Sequence, residues 1–165
     1  MKSEIDTAKE WLLRYSEINR TIDNLILRSD LLKDKASAPS TANIDGMPHG
    51  KGGNTDKIGT LIAKYEELDT EAREKIAESR TIYREINDVI KNIQGRGSAD
   101  LRAVLQMRYL DLANWNEVVF MLFGNKPDFA EREDSFIRRT FKLHSQALTI
   151  IKDFIPKNSL TGNEE

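Results

Sequence analysis

One segment near the carboxyl end of the sequence is predicted to be a helix with a basic, amide-bearing face. Over residues 135–155 apolar residues recur at helical spacing and predict a buried side formed by Ile137, Phe141, Leu148, Ile151 and Ile155, while polar residues occupy the opposite side. Between residues 135 and 152 there are four Lys or Arg and no Asp or Glu. Arginine can form two hydrogen bonds with guanine, glutamine can do so with adenine, and lysine neutralises phosphate. The predicted DNA-binding residues are Arg138, Arg139, Lys142, Ser145 and Gln146. The same pattern is equally typical of the solvent-facing side of an ordinary amphipathic helix.

Two shorter helices are predicted to position this face. The first runs through Tyr109, and Ser98 or Asp100 is the predicted cap at its start. The second has Asn114 as its predicted N-cap, with Glu117 placed to close a capping box. Its predicted end is at the glycine at position 124. An acidic connection over residues 125–134 follows, and its last residue or the next one is predicted to cap the third helix.

Two long helices are predicted to precede this unit, over residues 3–33 and from residue 54 or 55 to about residue 94. The first has a heptad-like seam made of Trp11, Tyr15, Ile18, Ile22, Leu25, Ser29 and Leu32. The second follows the same rhythm with one extra four-residue step, which resembles a stutter. A loop predicted to be flexible joins them over residues 35–56. The simplest arrangement is a long antiparallel, coiled-coil-like hairpin.

The predicted fold class is therefore all-α, with the hairpin over residues 1–97 and a helix-turn-helix-like unit over residues 98–156. Residues 157–165 are predicted to be a disordered tail. Because each hairpin seam is narrow, we expect a homodimer formed through the N-terminal helices. The alternative is a monomeric hairpin that packs on the C-terminal unit.

The composition of the 165-residue chain limits its chemistry. The net charge is -2, so a nucleic-acid interface has to rest on local charge. There is no cysteine, and of the two histidines His144 is predicted to be a core residue, while His49 falls in the loop. No catalytic constellation, metal set or cofactor motif stands out, so the prediction is a non-enzyme without a cofactor. No apolar run is long enough for a membrane span, and we expect a cytoplasmic protein without a membrane partner.

Three motifs carry a resemblance to a known family. They are L-x-x-R-Y at residues 105–109, W-x-E-V at 115–118, and R-x-x-x-K-L-H-x-x-A-L at 138–148. Together they resemble region 4 of bacterial sigma factors. They are most similar to the sigma-like phage and prophage regulators of Gram-positive bacteria, of the ArpU and RinA late-gene activator type.

The resemblance implies a helix-turn-helix fold and a transcriptional regulator, a late-gene activator, in the cytoplasm of a bacterial host cell. The implied partners are double-stranded DNA and host RNA polymerase. Two departures stand out: Val119 occupies a position where the family has Ala, and the connection over residues 125–134 makes the turn about ten residues longer. That connection either folds outward as a loop or changes the DNA-docking surface.

A second hypothesis is a helical adaptor or packaging protein, such as a small terminase-like subunit. It would act through oligomerisation rather than through promoter recognition, and it would also combine long helices with a helix-turn-helix remnant.

Overall fold

A computed structural model describes residues 3–38 and 55–157, and the secondary structure in these ranges is helical without any strand. The helices are α1 Glu4–Ser37, α2 Thr55–Lys91, α3 Ser98–Leu105, α4 Trp115–Phe123 and α5 Glu133–Ile151. A π-helical turn, Gln106–Leu110, continues α3, and a short 3-10 turn, Lys152–Phe154, follows α5. The all-α prediction is confirmed. None of the helices in these ranges has the length and apolarity that a bilayer crossing requires.

The structure divides into two compact units. Unit 1 comprises Met1–Glu17 and Arg80–Glu165, and unit 2 comprises Ile18–Ser79. This division does not follow the predicted boundary at residue 97, because the first turns of α1 and the last turns of α2 belong to the same core as α3 and α5. Fourteen buried residues form that core, among them Trp11, Ile90 and Ile151.

Unit 2 has a much smaller core. Leu25, Leu68 and Ala72 form its one buried apolar cluster among the described residues. A buried serine, Ser29, donates a hydrogen bond to the Asp69 carboxylate, and the Lys33 ammonium lies 2.9 Å from the other oxygen of that carboxylate. The hydrogen bonds from Ser29 and then from Lys33 lower the pKa of Asp69, and the bond to Asp69 raises the pKa of Lys33.

The predicted seam of the first helix is confirmed. Trp11, Ile18, Ile22, Leu25 and Ser29 are buried, while the two remaining seam positions are half-buried. This helix begins with a reciprocal pair of side-chain caps. The Asp6 carboxylate accepts hydrogen bonds from the hydroxyl and the backbone N–H of Ser3, and the Ser3 hydroxyl accepts one from the backbone N–H of Asp6.

Helix α2 begins at Thr55, so the predicted start of the second long helix at residue 54 or 55 is confirmed. Helix α1 extends to Ser37, beyond its predicted end at residue 33 and into the segment predicted as a loop over residues 35–56. The rest of that loop, with His49, lies outside the described residues, apart from residue 38. The predicted tail lies outside them as well, except for residue 157.

Two predicted helix caps were also wrong. Helix α3 begins after Gly97, whose φ of 80° supplies the turn, so neither Ser98 nor Asp100 is the cap. Helix α5 begins at Glu133, which places residues 134 and 135 inside its first turn. The backbone N–H of Arg132 bonds the carbonyl groups of residues 128 and 129, so a chain of turns rather than a side-chain cap leads into the helix.

Candidate nucleic-acid interface

The carboxyl-terminal helix α5 separates a buried side from a polar side. All five predicted DNA-binding residues are exposed: Arg138, Arg139, Lys142, Ser145 and Gln146. The buried residues are Phe136, Thr140, His144, Ala147, Leu148 and Ile151. The buried side is rotated from the predicted one, because Thr140 is fully buried while Phe141 is 43% exposed. The hydroxyl of Thr140 donates to the carbonyl oxygen of residue 136, which makes its burial inexpensive.

Three cations on this side carry charge that no described acid neutralises. The side chains of Arg138 and Lys142 are exposed and make no hydrogen bond or ion pair with another described residue. The guanidinium carbon of Arg139 lies 5.2 Å from the centre of the Phe123 ring on α4, within cation–π range. Arg139 is therefore held at the edge of the polar side, while the other two are free to extend from it.

The fourth cation of the segment does not belong to this group. The ammonium of Lys152 lies 2.6 Å from a carboxylate oxygen of Glu4, at the beginning of α1. Their hydrogen bond raises the pKa of Lys152 and lowers the pKa of Glu4. The sequence count of four basic residues thus overstates the free charge of the helix by one.

The acidic connection before α5 is held by an aromatic stack. The ring of Phe129 lies 5.8 Å from that of Phe136 and 5.9 Å from that of Phe120. Phe123 stacks on Phe136 at 4.9 Å, so α4, the connection and the start of α5 share one small core. Since this core lies on the Phe136 side of α5, the connection leaves the five polar residues exposed.

The same connection brings acids to the amino end of α5. Glu131, Glu133 and Asp134 are exposed there. They favour the helix start, where the helix dipole stabilises negative charge. They also repel an approaching phosphate, so the part of α5 suited to a polyanion is its middle, around Arg138 and Lys142.

Helix α4 is fixed at its beginning by two interactions. The Asn114 side chain accepts a hydrogen bond from the backbone of Glu117, whose carboxylate accepts one from the backbone N–H of Asn114, so the predicted capping box is confirmed. Trp115 then packs its ring 4.8 Å from Phe141 and 4.9 Å from His144. These contacts fix the position of α4 against the middle of α5.

The histidine of α5 is a buried structural residue, as predicted. Its Nε2 lies 2.9 Å from the hydroxyl oxygen of Tyr109, at the end of the π-helical turn. Burial is the main reason that the pKa of His144 falls to about 4, with smaller contributions from the charges of Lys9 and Arg108. Burial likewise raises the pKa of Tyr109 to about 12. At neutral pH both side chains are therefore uncharged.

Nothing in the sequence indicates that α3 borders the polar side of α5. Ser145, Gln146 and Thr149 line a shallow depression together with Ile150 and Leu101, the latter from α3. The carboxyl-terminal half of the polar side is thus flanked by another helix. The half that bears Arg138 and Lys142 does not line this depression.

Within the described ranges, no group of three His, Cys, Asp or Glu side chains is placed to hold a metal ion. Comparison of the chain with known protein families, with curated proteins and with solved structures found no match.

Proposed function

We propose that this protein is a DNA-binding transcriptional regulator that places the polar side of α5 in the major groove. The observation that carries the proposal is the set of three unneutralised cations next to exposed Ser145 and Gln146, on the side of α5 opposite its packed side. An α-helix fits the major groove, where arginine and glutamine can distinguish base pairs. The role of a phage or prophage late-gene activator, with host RNA polymerase as a further partner, follows from the resemblance to sigma region 4.

In this proposal the polar residues of α5 contact different groups of the DNA. Arg138 and Lys142 extend without a partner and suit phosphate or guanine, whereas Gln146, one turn further on, suits adenine. Arg139, supported by the Phe123 ring, is placed to contact the sugar-phosphate backbone at the edge. In this proposal α4 is the first helix of a helix-turn-helix unit and α5 is the recognition helix.

The proposal includes the N-terminal helices as a coiled-coil-like antiparallel hairpin that forms a homodimer. Within unit 2, Asn19 lies 3.4 Å from Ser79, and Ser29 bonds Asp69, so these two helix segments run in opposite directions. A dimer would present two copies of α5, which suits a palindromic operator.

Salt dependence of DNA binding tests the proposal. For the Arg138→Ala/Lys142→Ala protein, we expect weaker binding to duplex DNA and a log–log salt slope that is shallower by about 1.8, at about 0.9 per lost phosphate contact. The measurement is fluorescence anisotropy with a duplex selected from a random pool, at several salt concentrations. Arg84→Ala removes one charge from an exposed, unpaired site on α2 and serves as the control, with an unchanged slope. Binding that is absent in the unmodified protein, or indifferent to the double substitution, would contradict the proposal.

A helical adaptor, such as a small terminase-like packaging subunit, is the second candidate. It is favoured by two exposed leucines on α1, Leu27 and Leu31, which are 59% and 51% exposed. The same anisotropy series separates the two candidates, because an adaptor that acts through oligomerisation needs no cation at position 138 or 142.

A further inference from the structure

The outward side of α1 in unit 2 has its own periodic pattern. The buried residues of this segment are Ile18, Ile22, Leu25 and Ser29. The stripe directly opposite them contains Arg20, Asn24, Leu27, Leu31 and Asp34, all exposed. These positions follow the three-four spacing of a coiled-coil seam. The helix thus has a second seam, and no described residue covers its two leucines.

Charged residues flank this second seam, with acids along one edge and bases along the other. Asp23 and Asp30 lie along one edge of the seam, and Arg28 and Lys35 lie along the other. Each acid precedes its base by five residues, which is the spacing of the interhelical ion pairs that flank a parallel two-stranded coiled coil. In an antiparallel pair of copies each edge would face itself, so acids would meet acids and bases would meet bases.

These charges are not used elsewhere in the described part of the chain. The side chains of Asp23, Arg28 and Lys35 form no ion pair or hydrogen bond with another described residue. Asp30 lies 3.8 Å from the Lys33 ammonium, which is closer to Asp69 at 2.9 Å. The charges are therefore available to a partner helix with the same sequence.

We propose that a second copy of this chain docks on this side of α1 and forms a short, parallel two-stranded coiled coil. Leu27 and Leu31 would each pack against their own counterparts. Asn24 would pair with its counterpart one turn before them, as a polar seam residue does when it selects a parallel dimer. Asp23 would pair with Arg28 of the partner, and Asp30 with Lys35. This inference rests on the self-association in the proposed function and is independent of DNA binding.

The seam is short, which limits the strength of the dimer. Arg20 and Asp34 occupy its next layers and place like charges opposite each other in a parallel pair. The apolar contact therefore covers only the turns around the two leucines. We expect a reversible dimer whose population depends on protein concentration.

Sedimentation velocity of the full chain over a concentration series tests the contact. Leu27→Lys/Leu31→Lys is expected to be monomeric at concentrations where the unmodified protein is a dimer. Ile26→Lys is the matched control, because Ile26 is 43% exposed and lies off the seam. Circular dichroism verifies that each variant keeps its helices. An unmodified protein that is monomeric throughout, or a dimer that survives the double substitution, overturns the proposal.

Exchanging the charges at positions 30 and 35 tests whether the two α1 helices run parallel. Asp30→Lys alone and Lys35→Asp alone should each weaken the dimer about 3- to 10-fold, because two symmetry-related surface ion pairs are lost. The protein carrying both substitutions should recover the original affinity, since the pairs re-form with reversed signs. Failure of the double exchange to restore dimerisation overturns the parallel arrangement.

An introduced cysteine provides a second measure of polarity, because the natural chain contains none. In a parallel dimer, Leu31→Cys faces its own counterpart and should oxidise to a covalent dimer, as a disulfide needs Cα atoms about 4.4–6.8 Å apart. A covalent dimer that requires Leu27→Cys in one copy and Leu31→Cys in the other would indicate an antiparallel pair and overturn the proposal. Anisotropy of the Leu27→Lys/Leu31→Lys protein on a single half-site keeps the two questions separate, because a monomer with an intact α5 still binds if the proposed function holds.

Discussion

The two units of this protein bury their helices in cores of very different size. Unit 1 gathers fourteen buried residues from α1, α2, α3, the π-helical turn, α5 and their flanking turns into one core, beside which the Tyr109 hydroxyl and the buried His144 ring bond each other. Unit 2 buries a narrow seam between segments of two helices, and its polar cluster of Ser29, Asp69 and Lys33 stays partly in contact with solvent. The difference teaches that one long helix can take part in a thick core along some turns and in a thin seam along others.

The main cause of the pKa shifts differs between the large core of unit 1 and the polar cluster of unit 2. In unit 1 desolvation dominates and moves the pKa of His144 to about 4 and that of Tyr109 to about 12. In unit 2 hydrogen bonds dominate: they lower the pKa of Asp69 and raise that of Lys33. The buried Tyr109 and His144 of unit 1 therefore stay neutral, while partly exposed pairs such as Lys152 with Glu4 in unit 1 and Lys33 with Asp69 in unit 2 stabilise each other's charges.

Matched core truncations test this contrast most strongly. Ile90→Ala in unit 1 removes a fully buried side chain from the large core and should cost about 4 kcal/mol of unfolding free energy. Ile22→Ala in unit 2 should cost about 2 kcal/mol, because a thin seam at the surface can relax around the lost atoms. Urea unfolding, followed by far-ultraviolet circular dichroism and by amide hydrogen exchange, gives both values. Equal losses would contradict the contrast.

The pH dependence of stability is a second test. In the unfolded chain the imidazole of His144 binds a proton below its ordinary pKa of 6.5, but in the folded protein only below about 4. The unfolded state thus binds more protons between these values, and stability should fall as the pH decreases from about 6.5 to about 4. We expect a loss of about 2 kcal/mol, less than the full linkage value because the ring keeps partial access to solvent.

The His144→Gln variant tests whether His144 causes this loss of stability at acid pH. In His144→Gln the decrease between pH 6.5 and 4 should disappear, although the variant starts from a lower stability. Unit 2 should lose its own contribution at lower pH, because the pKa of Asp69 lies below 3.8 and its stabilisation is lost only as the pH falls through that lowered value. A His144→Gln protein with an unchanged decrease in that window would show that another group is responsible.

The smallest expected effect concerns the left-handed backbone conformation of Leu112. Leu112, between the π-helical turn and α4, has a φ of 56°, a left-handed conformation that is unfavourable for leucine. It is 44% exposed, so Leu112→Gly loses little packing and should raise the free energy of unfolding by about 0.5–1 kcal/mol. The equivalent change in the regular helix of unit 2, Ile26→Gly, should lower it by about 1 kcal/mol. Thermal unfolding of both variants measures the signs, and a destabilised Leu112→Gly protein would contradict the strain argument.

Local patterns in the sequence predicted local structure well. The seam residues of α1 were identified from three-four spacing, since a helix presents residues at that spacing on one side whatever lies opposite. The capping box of Asn114 and Glu117 was identified because both partners lie within one turn. Caps that depend on neighbouring backbone geometry were missed: the left-handed Gly97 replaces the predicted serine or aspartate cap.

The candidate interface was predictable in part. Exposure of Arg138, Lys142 and Gln146 follows from amphipathic spacing, because polar residues opposite an apolar side face water. The sequence could not indicate that Thr140 is buried instead of Phe141, since the rotation of α5 depends on the Trp115 and Phe123 rings of α4 that pack against it. Nor could it indicate that Glu4 neutralises Lys152, from the other end of the chain.

By itself, then, the sequence determined the all-α class, the buried seam of α1, the α4 cap and the polar side of α5, because each depends on residues within a few helical turns. Only the tertiary structure decided which turns of α1 and α2 join the C-terminal core, which cations of α5 stay unpaired and where the acidic connection lies. These features depend on contacts between residues far apart in the chain, such as Trp11 with the core of Ile151. Periodicity identifies the side of a helix that is buried, but it does not identify the partner that buries it.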